Sequence, residues 1–500
     1  MSKPREAGEL PARWPLDYSR QTGYPADMDG IAAAGVHTVL ADADGTAYRS
    51  LQQRPVTRAE RYALGKSLRK RVPRKSLADW TAPSDRPDPV ELINVSHQGR
   101  VDRLIPIRVG RMVDSPYGFL RGTAVVMAED VAHLPATGIT PVVCGDSHFG
   151  NFGFYASPER DLVIDLNDFD EAHPGCWEWD LRRLAASIWV AGRHNGTSED
   201  HCGNAVRSCV ASYRLELRRL ADLPLFTRSF VRLDVDRLAA ETAGPLSEQV
   251  MRSAKRARHR TGDRALPRFT HEVDGERKIV EEPPLITRLP PREAELLAAA
   301  LDEYLETLPS YWRRVLGGYT LVDVAHKVVG VGSVGLRAYV ALLEGSSESD
   351  VVFLQLKQAR RSVLGRYVHG ESAWHAHQGQ RVVEYQQSLQ TVSDPLLGWT
   401  TMDGLQYYVR QFRNMKGRIS LDAIDAAALT DYAGVVGQLL AKGHARTSGA
   451  SMIAGYMGSS DRVDTALCKF ARRYADQTEA DHAALVGAVD RGLLPVERGV

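Results

Sequence analysis

Two short apolar segments, each followed at once by a polar loop, constrain this chain of 500 residues more than any other feature. The first, Pro141 to Cys144, runs into the loop GDSHFGN, and the second, Leu162 to Asp165, runs into LNDFDEA. Short apolar runs bounded by turn residues predict buried strands. Polar groups gathered directly after buried strands predict a functional site on the connecting loops.

The first loop contains the candidate catalytic residues Asp146, His148 and Asn151. Its glycines permit the tight backbone that brings such groups together. An acid followed by an amide, with a second acid cluster downstream, is the arrangement used for phosphoryl transfer on a metal nucleotide. We therefore predict that Asp146 orients a substrate hydroxyl and that Asn151 binds metal. The alternative is that both side chains only bond to the backbone of their own loop.

The second loop gathers acids and an amide within the short stretch from Asp165 to Glu171. Carboxylates placed this close raise one another's pKa, so the loop favours a bound cation. We predict magnesium here, with Asp168 as the main ligand and Asp170 beside it. The register of the loop leaves Asp165 open as an alternative main ligand. The alternative to a metal site is an acidic loop that is simply solvated.

The two loops resemble the catalytic and metal-binding loops of aminoglycoside phosphotransferases, which belong to the protein-kinase-like superfamily. Together with WEWDLRRLAAS, the stretch more closely resembles the bacterial domain-of-unknown-function 2252 family, over most of the chain from about Val101 onward. The first resemblance implies ATP and Mg²⁺ as cofactors, a catalytic aspartate at Asp146, and a supporting role for His148. The second family implies no activity by itself.

A glycine-dense turn lies between two β-rich runs, and a strand carrying Lys357 follows it. In kinases such a turn covers the nucleotide phosphates and a strand lysine neutralises them. Glu384, on a helix predicted from Glu371 to Val392, is the candidate acid that positions Lys357, and Glu371 is the alternative. A bulged hairpin and an edge-strand surface lysine are the simpler reading. The predicted nucleotide contacts are Gly330, Gly332, Ser333, Gly335, Lys357 and Glu384.

These nucleotide-covering features come after the catalytic loop, whereas in kinases they precede it. The predicted fold class is therefore α+β: a two-lobed protein-kinase-like fold, circularly permuted, with extra helices. The predicted parts are a partly disordered N-terminal arm with one helix at 1–100, a C-lobe-like part with the catalytic and metal loops at 101–282, a linker and helix at 283–318, an N-lobe-like nucleotide-covering part at 319–420, and C-terminal helices at 421–500.

Composition limits the partners. A net charge of +1, from 63 basic and 62 acidic residues, gives no global sign of nucleic acid or a membrane surface. The five cysteines form no CxxC pair, and no apolar stretch is long enough to span a bilayer, so we expect a reduced cytoplasmic protein. The basic runs Lys66–Ser76 and Met251–Arg260 are interpreted as solvated faces. His444 and Arg446 are interpreted as cations at a helix C-terminus.

The predicted function is an ATP- and Mg-dependent phosphotransferase that acts on a hydroxyl of an unknown small-molecule acceptor. Its partners would be the nucleotide and that acceptor. Three alternatives remain open: a nucleotide-binding pseudokinase, an AMP-transferring enzyme of the same fold, and a metal-dependent phosphoesterase, although the last needs several histidines beside its acids. Asp180, in the helix after the second loop, is expected to anchor the loops.

Overall fold

The computed structural model describes residues 56–242, 244–369, 375–422, 424–447 and 449–499. These residues belong to one compact unit. Residues 1–55 of the predicted N-terminal arm lie outside the described residues, so the description below concerns this unit. Its elements are of mixed α and β type, which confirms the α+β class.

Helices form most of the regular structure. The α-helices are α1 (Arg58–Ser67), α2 (Pro89–His97), α3 (Ile105–Val113), α4 (Pro116–Gly122), α5 (Ala124–Ala132), α6 (Trp177–His194), α7 (Glu199–Asp222), α8 (Leu225–Arg228), α9 (Val235–Glu241), α10 (Gly244–Arg258), α11 (Gly262–Phe269), α12 (Pro291–Glu306), α13 (Ser310–Leu316), α14 (Gly365–His369), α15 (Gln378–Leu389), α16 (Ala426–Arg446), α17 (Ala450–Met457) and α18 (Arg462–Asp490). None of these described helices is both long and apolar enough to cross a membrane.

The strands form one larger sheet and three small pairs. They are β1 (Val142–Val143), β2 (Phe152–Ala156), β3 (Leu162–Leu166), β4 (His173–Pro174), β5 (Thr270–Val273), β6 (Glu276–Ile279), β7 (Ile286–Arg288), β8 (Thr320–Lys327), β9 (Ala338–Glu344), β10 (Val351–Gln358), β11 (Gly398–Met402) and β12 (Leu405–Gln411). The pairs are β1 with β4, β2 with β3, and β5 with β6.

The larger sheet is antiparallel, in the order β11-β12-β10-β9-β8-β7. The predicted glycine turn joins β8 to β9, and Lys357 lies on β10, opposite Ala338 of β9 and Tyr408 of β12. α12 and α13 cover the sheet with a core that includes Leu297 and Tyr304, both fully buried. Lys357 therefore lies on an interior strand, and the edge-strand surface lysine considered above is wrong.

The loops that follow β1 and β3 lie against a helical part of the protein. α16 packs along α7, and α18 packs against α6 and α7. β2 and β3 form a hairpin in which Gly153 faces Asp165. Phe154 of this hairpin exchanges backbone hydrogen bonds of 2.8 and 3.0 Å with Gly417, just after β12. The β2–β3 hairpin is thus joined directly to the chain that leaves the larger sheet.

Local chemistry explains several element boundaries. Thr57 and Glu60 form a capping box that starts α1, as the spacing predicts. The single helix predicted within 283–318 is wrong, because Pro309 lacks the N–H that would continue it and separates α12 from α13. The proline-rich linker predicted from residue 283 contains the strand β7, since the apolar Ile286 is buried and pairs with β8.

The first basic run has partners, which corrects its interpretation as a solvated face. Arg69 Nε donates to the carbonyl oxygen of Tyr456 at 2.8 Å, and Arg74 Nη1 donates to that of Met457 at 2.7 Å. Both carbonyls end α17, where the helix dipole is negative. These arginines therefore stabilise a helix end within the fold.

Candidate functional site

The first polar loop is held by one buried carboxylate. Asp180, in the first turn of α6, is 1% exposed and accepts the backbone N–H groups of Cys144 at 2.7 Å and Gly145 at 2.9 Å. Gly145 has φ of +77°, and a Cβ there would lie 2.2 Å from the carbonyl oxygen of Glu171, so only glycine fits. The anchoring role expected for Asp180 is confirmed.

A histidine from a distant helix completes this anchor. His444 Nε2 lies 3.2 Å from Asp180 Oδ2, and His444 Nδ1 lies 2.8 Å from the hydroxyl of Tyr213 on α7. Its side chain is fully buried. His444 does lie in the last turn of α16, but its ring turns inward to Asp180 and Tyr213, so the interpretation as a cation that complements the helix end is wrong. Sequence reasoning missed this contact, which joins residues 264 positions apart.

Asn151 ties the two polar loops together. Its Nδ2 donates to the carbonyl oxygens of Asp146 and Asp168, each at 3.0 Å, and its Oδ1 accepts the Asp168 N–H at 2.8 Å. The side chain is 3% exposed. The structure thus brings the predicted catalytic and metal loops into direct contact through this amide.

Asp146 is paired with an arginine from α6. Arg183 Nε and Nη2 both lie within 2.5 Å of Asp146 Oδ1. Burial raises the pKa of Asp146 to about 7, against the lowering effect of Arg183, and the nearby Glu171 and Asp168 raise it further. A carboxylate with a pKa near neutrality matches the requirement for a general base at physiological pH.

His148 lies beside Asp146 and supports the loop. Its Nδ1 accepts the N–H of Gly150 at 3.1 Å, and the ring is 8% exposed. Burial and the charges of Arg121, Arg183 and Arg418 lower its pKa well below the usual value, so the ring is neutral. This contact holds the turn between His148 and Gly150.

Lys357 reaches the second loop from the larger sheet. Its Nζ lies 2.8 Å from Asp170 Oδ2 and 3.5 Å from Asp168 Oδ1, although these acids lie nearly 190 positions away. Desolvation would lower its pKa, but the charges of Asp168 and Asp170 raise it well above the usual value. The ammonium also lies 5.3 Å from the ring centre of Tyr408. The lysine is therefore charged and held by both predicted metal ligands.

Asp165 is placed apart from this group. It forms a buried ion pair with Lys442 of α16, and each side chain is 4% exposed. Its other oxygen accepts the N–H of Leu166 at 3.0 Å. Asp165 lines neither of the cavities described below, and its lysine partner is not the Lys357 that contacts Asp168 and Asp170. We therefore do not retain Asp165 as a magnesium ligand, and the alternative register is wrong.

Glu384 does not reach Lys357, which corrects its predicted role. Its carboxylate lies 2.7 Å from His375 Nε2 and accepts from Gln380 Nε2 at 2.7 Å. Instead, α15 reaches the metal loop through Arg381, whose Nη2 donates to the carbonyl oxygen of Asp170 at 2.8 Å. The alternative, Glu371, lies outside the described residues.

We expect Glu384→Ala to leave ATP affinity within about twofold of the wild type, because its carboxylate is 42% exposed and bonded to His375 and Gln380. Lys357→Met, in contrast, removes the charge beside Asp168 and Asp170 and is expected to weaken ATP by about tenfold or more. Calorimetric titration of both variants makes the comparison. A large loss in Glu384→Ala would return this glutamate to the site.

The glycine turn closes over a cavity of about 300 Å³, the inner cavity. Gly330, Gly332 and Ser333 line it together with Asp146 and Asp168, whereas Gly335 holds Val101 by a 2.8 Å backbone hydrogen bond. The sequence reasoning missed the arginines of its wall, two of which directly follow the Lys357 strand and one of which interrupts the apolar helix α3. They are Arg100, Arg108, Arg121, Arg360 and Arg361.

A second cavity of about 610 Å³, the outer cavity, adjoins the first. The two cavities share Arg121, His148 and Asp168. Arg256 and Arg260 line the outer one and are exposed, so the solvated face predicted for Met251–Arg260 also borders this cavity. Its basic residues outnumber its acids Asp168 and Asp422 and are Arg121, Arg256, Arg260, Arg410, Lys416 and Arg418.

The two acids beside Lys357 suit a magnesium ion that also binds substrate phosphates and water. They do not form a site in which protein side chains alone hold a metal. Among the described residues, no three His, Cys, Asp or Glu side chains converge on one metal position. Asp168 is 49% exposed, and Asp170 Oδ1 is buried without a hydrogen-bond partner in the described part of the chain. Mg²⁺ in nucleotide enzymes is bound by one or two carboxylates together with substrate phosphates and water. These residues fit that pattern.

Comparison with known proteins identifies a family but no function. No curated protein and no solved structure matches the chain. One family model, described as an uncharacterized protein conserved in bacteria (DUF2252), matches residues 100–488. This span contains both polar loops, the glycine turn, Lys357 and His444. The chain belongs to the bacterial DUF2252 family.

Proposed function

We propose that this protein is an ATP- and Mg-dependent phosphotransferase that acts on a hydroxyl of a small molecule. The observation that carries the proposal is the contact of Lys357 with Asp170 at 2.8 Å and with Asp168 at 3.5 Å. This contact joins β10, the strand that carries Lys357, to the two acids of the second polar loop. Kinases bring a strand lysine and metal-binding acids together to bind a nucleotide and transfer its terminal phosphoryl group.

The proposed fold is that of a protein kinase in permuted order. The glycine turn joins β8 to β9, and Lys357 lies on β10, so the lysine is on the third strand when β8 is counted as the first. Kinases carry their lysine on the third strand of the corresponding sheet. The chain order differs, but a site is defined by its geometry and not by the order of its residues.

The nucleotide would extend through both cavities. The glycine turn lines the inner cavity, which suits phosphates because glycines let the backbone approach phosphate oxygens closely. The segment from Lys416 to Leu421, which follows β12, lines the outer cavity and would border the adenine. Asp168 lines both cavities, so a cation held by it would lie beside phosphates that enter the inner one.

Asp168 and Asp170 would hold the magnesium ion, with Asn151 beside them. When bound, the ion would neutralise charge on the phosphates. Lys357 adds a second positive charge and keeps the two carboxylates in place. The protein's own contribution is mostly to position and neutralise, since phosphoryl transfer needs little covalent help from side chains.

The acceptor hydroxyl would meet Asp146 in the inner cavity, which this residue lines. Asp146 is suited to take the hydroxyl proton because its pKa is raised to about 7 by burial. Arg183 fixes the orientation of the carboxylate through contacts of 2.5 Å. His148 and Asp180 hold the loop on which it stands.

The test is product analysis. The protein is incubated with MgATP and a fractionated metabolite extract, with Asp168→Ala as the blank. We expect ADP to accumulate and one component to gain the mass of a single phosphoryl group. Gain of an AMP group with release of pyrophosphate would replace phosphoryl transfer by adenylyl transfer. Binding of ATP without consumption in any fraction would favour a pseudokinase.

A further inference from the structure

Arg108 is a buried cation whose guanidinium is mostly unbonded. It lies on α3, is 1% exposed, and donates from Nη2 to the carbonyl oxygen of Gly122 at 2.8 Å. Its Nε and Nη1 have no hydrogen-bond partner among the described residues. Buried arginines are ordinarily paired with carboxylates, because leaving such donors without partners is costly.

Its nearest charges have the same sign. Arg100 and Arg360 line the inner cavity with it, and both direct a guanidinium to the carbonyl oxygen of Ser96, at 2.9 and 3.4 Å. None of the three arginines forms an ion pair within the described ranges. Burial first, and then the charges of Arg100 and Arg360, lower the pKa of Arg108.

The acids of the same cavity are already engaged. Asp146 is paired with Arg183 and Asp170 with Lys357. Glu171 accepts the N–H of Val363 at 2.7 Å. The charges of Glu171 and Asp170 act on Arg100 without forming an ion pair with it. The pKa of Arg100 is lowered to about 10 despite these two charges. The positive end of the cavity therefore lacks a counter-charge.

We propose that Arg108, with Arg100 and Arg360, binds a phosphate group in the inner cavity. Guanidinium groups bind phosphate through paired, charge-assisted hydrogen bonds, and Arg108 has two nitrogens free for this purpose. The identification of the anion as phosphate rests on the proposed function. The group is either the terminal phosphate of the nucleotide or a phosphate on the acceptor, and both have the same chemistry.

The test uses inorganic phosphate and pyrophosphate without nucleotide or magnesium. Calorimetry and thermal unfolding are run on the full chain, on Arg108→Met, and on Arg252→Met, a matched change at an exposed position of α10. We expect Arg108→Met to weaken phosphate by about tenfold or more and to abolish the rise in Tm that phosphate gives the wild type. The Arg252→Met control should bind like the wild type.

The unliganded protein provides an independent readout. Replacing a buried, unpaired charge with an apolar side chain of similar length is neutral or stabilising. We therefore expect Arg108→Met to have a Tm equal to or above that of the wild type in phosphate-free buffer. A lower Tm, or equal phosphate affinity in the variant and the wild type, would overturn the proposal, as would a wild type that binds neither anion.

Two further titrations identify the source of the phosphate. If it belongs to the nucleotide, Arg108→Met weakens ATP but not AMP. If it belongs to the acceptor, phosphate binds protein already saturated with a non-hydrolysable MgATP analogue, and Arg108→Met retains its ATP affinity. Either result supports the site. A wild type that binds phosphate through Arg108 but no ATP would leave this site standing and remove the proposed function.

Discussion

Replacing Asp146 with asparagine is expected to lower the rate of phosphoryl transfer by about 10²- to 10⁴-fold, the usual contribution of a positioned general base. Asparagine keeps an oxygen for Arg183, which lies 2.5 Å from Oδ1 in the wild type. It cannot accept the hydroxyl proton. Release of ADP from MgATP measures the rate, with water as the acceptor until a better one is known.

ATP affinity separates this effect from general damage. Asp146 interacts with Arg183 rather than with Lys357, so MgATP binding should stay within about threefold of the wild type. Asp161→Asn, at a carboxylate that is 56% exposed, is the matched control and should change neither quantity. A turnover in Asp146→Asn within twofold of the wild type would remove Asp146 from the chemistry.

Replacing Asp180 with alanine is expected to lower the free energy of unfolding by about 3–5 kcal/mol. The change would leave the N–H groups of Cys144 and Gly145 buried without an acceptor, and His444 without its partner. Each buried donor left unsatisfied costs about 1–3 kcal/mol. Denaturant unfolding followed by circular dichroism measures the loss.

Two further variants serve as comparisons, one at an exposed carboxylate and one at a partner of Asp180. Asp222→Ala removes a carboxylate that is 82% exposed and should change stability by no more than about 0.5 kcal/mol. His444→Ala removes one of the three donors to Asp180 and should give a smaller loss than Asp180→Ala. If Asp180→Ala unfolds at the same denaturant concentration as Asp222→Ala, the carboxylate does not hold the loop.

The centre of the site could be predicted because its signals are local. The acids and amide of the two polar loops directly follow short buried strands, and the glycine turn directly precedes the strand with Lys357. Such patterns are set by backbone geometry over a few residues. The structure brings Asp146, Asn151, Asp168 and Lys357 together, although what they catalyse stays a prediction.

The wrong predictions concern contacts that only the tertiary structure decides. Glu384 has the expected place on a helix after the lysine strand, but His375 and Gln380 lie nearer to it than Lys357 does. Asp165 lies on β3, directly before the loop that contains Asp168 and Asp170, but Lys442 from a distant helix neutralises it. Sequence spacing places a charge near a site and does not choose its partner.

Buried cations were missed for a related reason. Arg108 interrupts the apolar helix α3, which is the one signal that its sequence position gives. That it lacks a counter-charge is evident only from its neighbours. These are Arg100, in the turn before the helix, and Arg360, in the segment after β10. A single buried charge is uninterpretable until the charges around it are known.

Calorimetric titration of ATP, with and without magnesium, tests the nucleotide site most directly. The titration is run on the wild type, on Asp168→Ala, and on the exposed control Asp161→Ala. We expect binding that requires magnesium in the wild type and the control. In Asp168→Ala it should be lost, or weakened by at least about tenfold. Absence of ATP binding in the wild type, or binding that neither magnesium nor Asp168 affects, would contradict the proposed phosphotransferase.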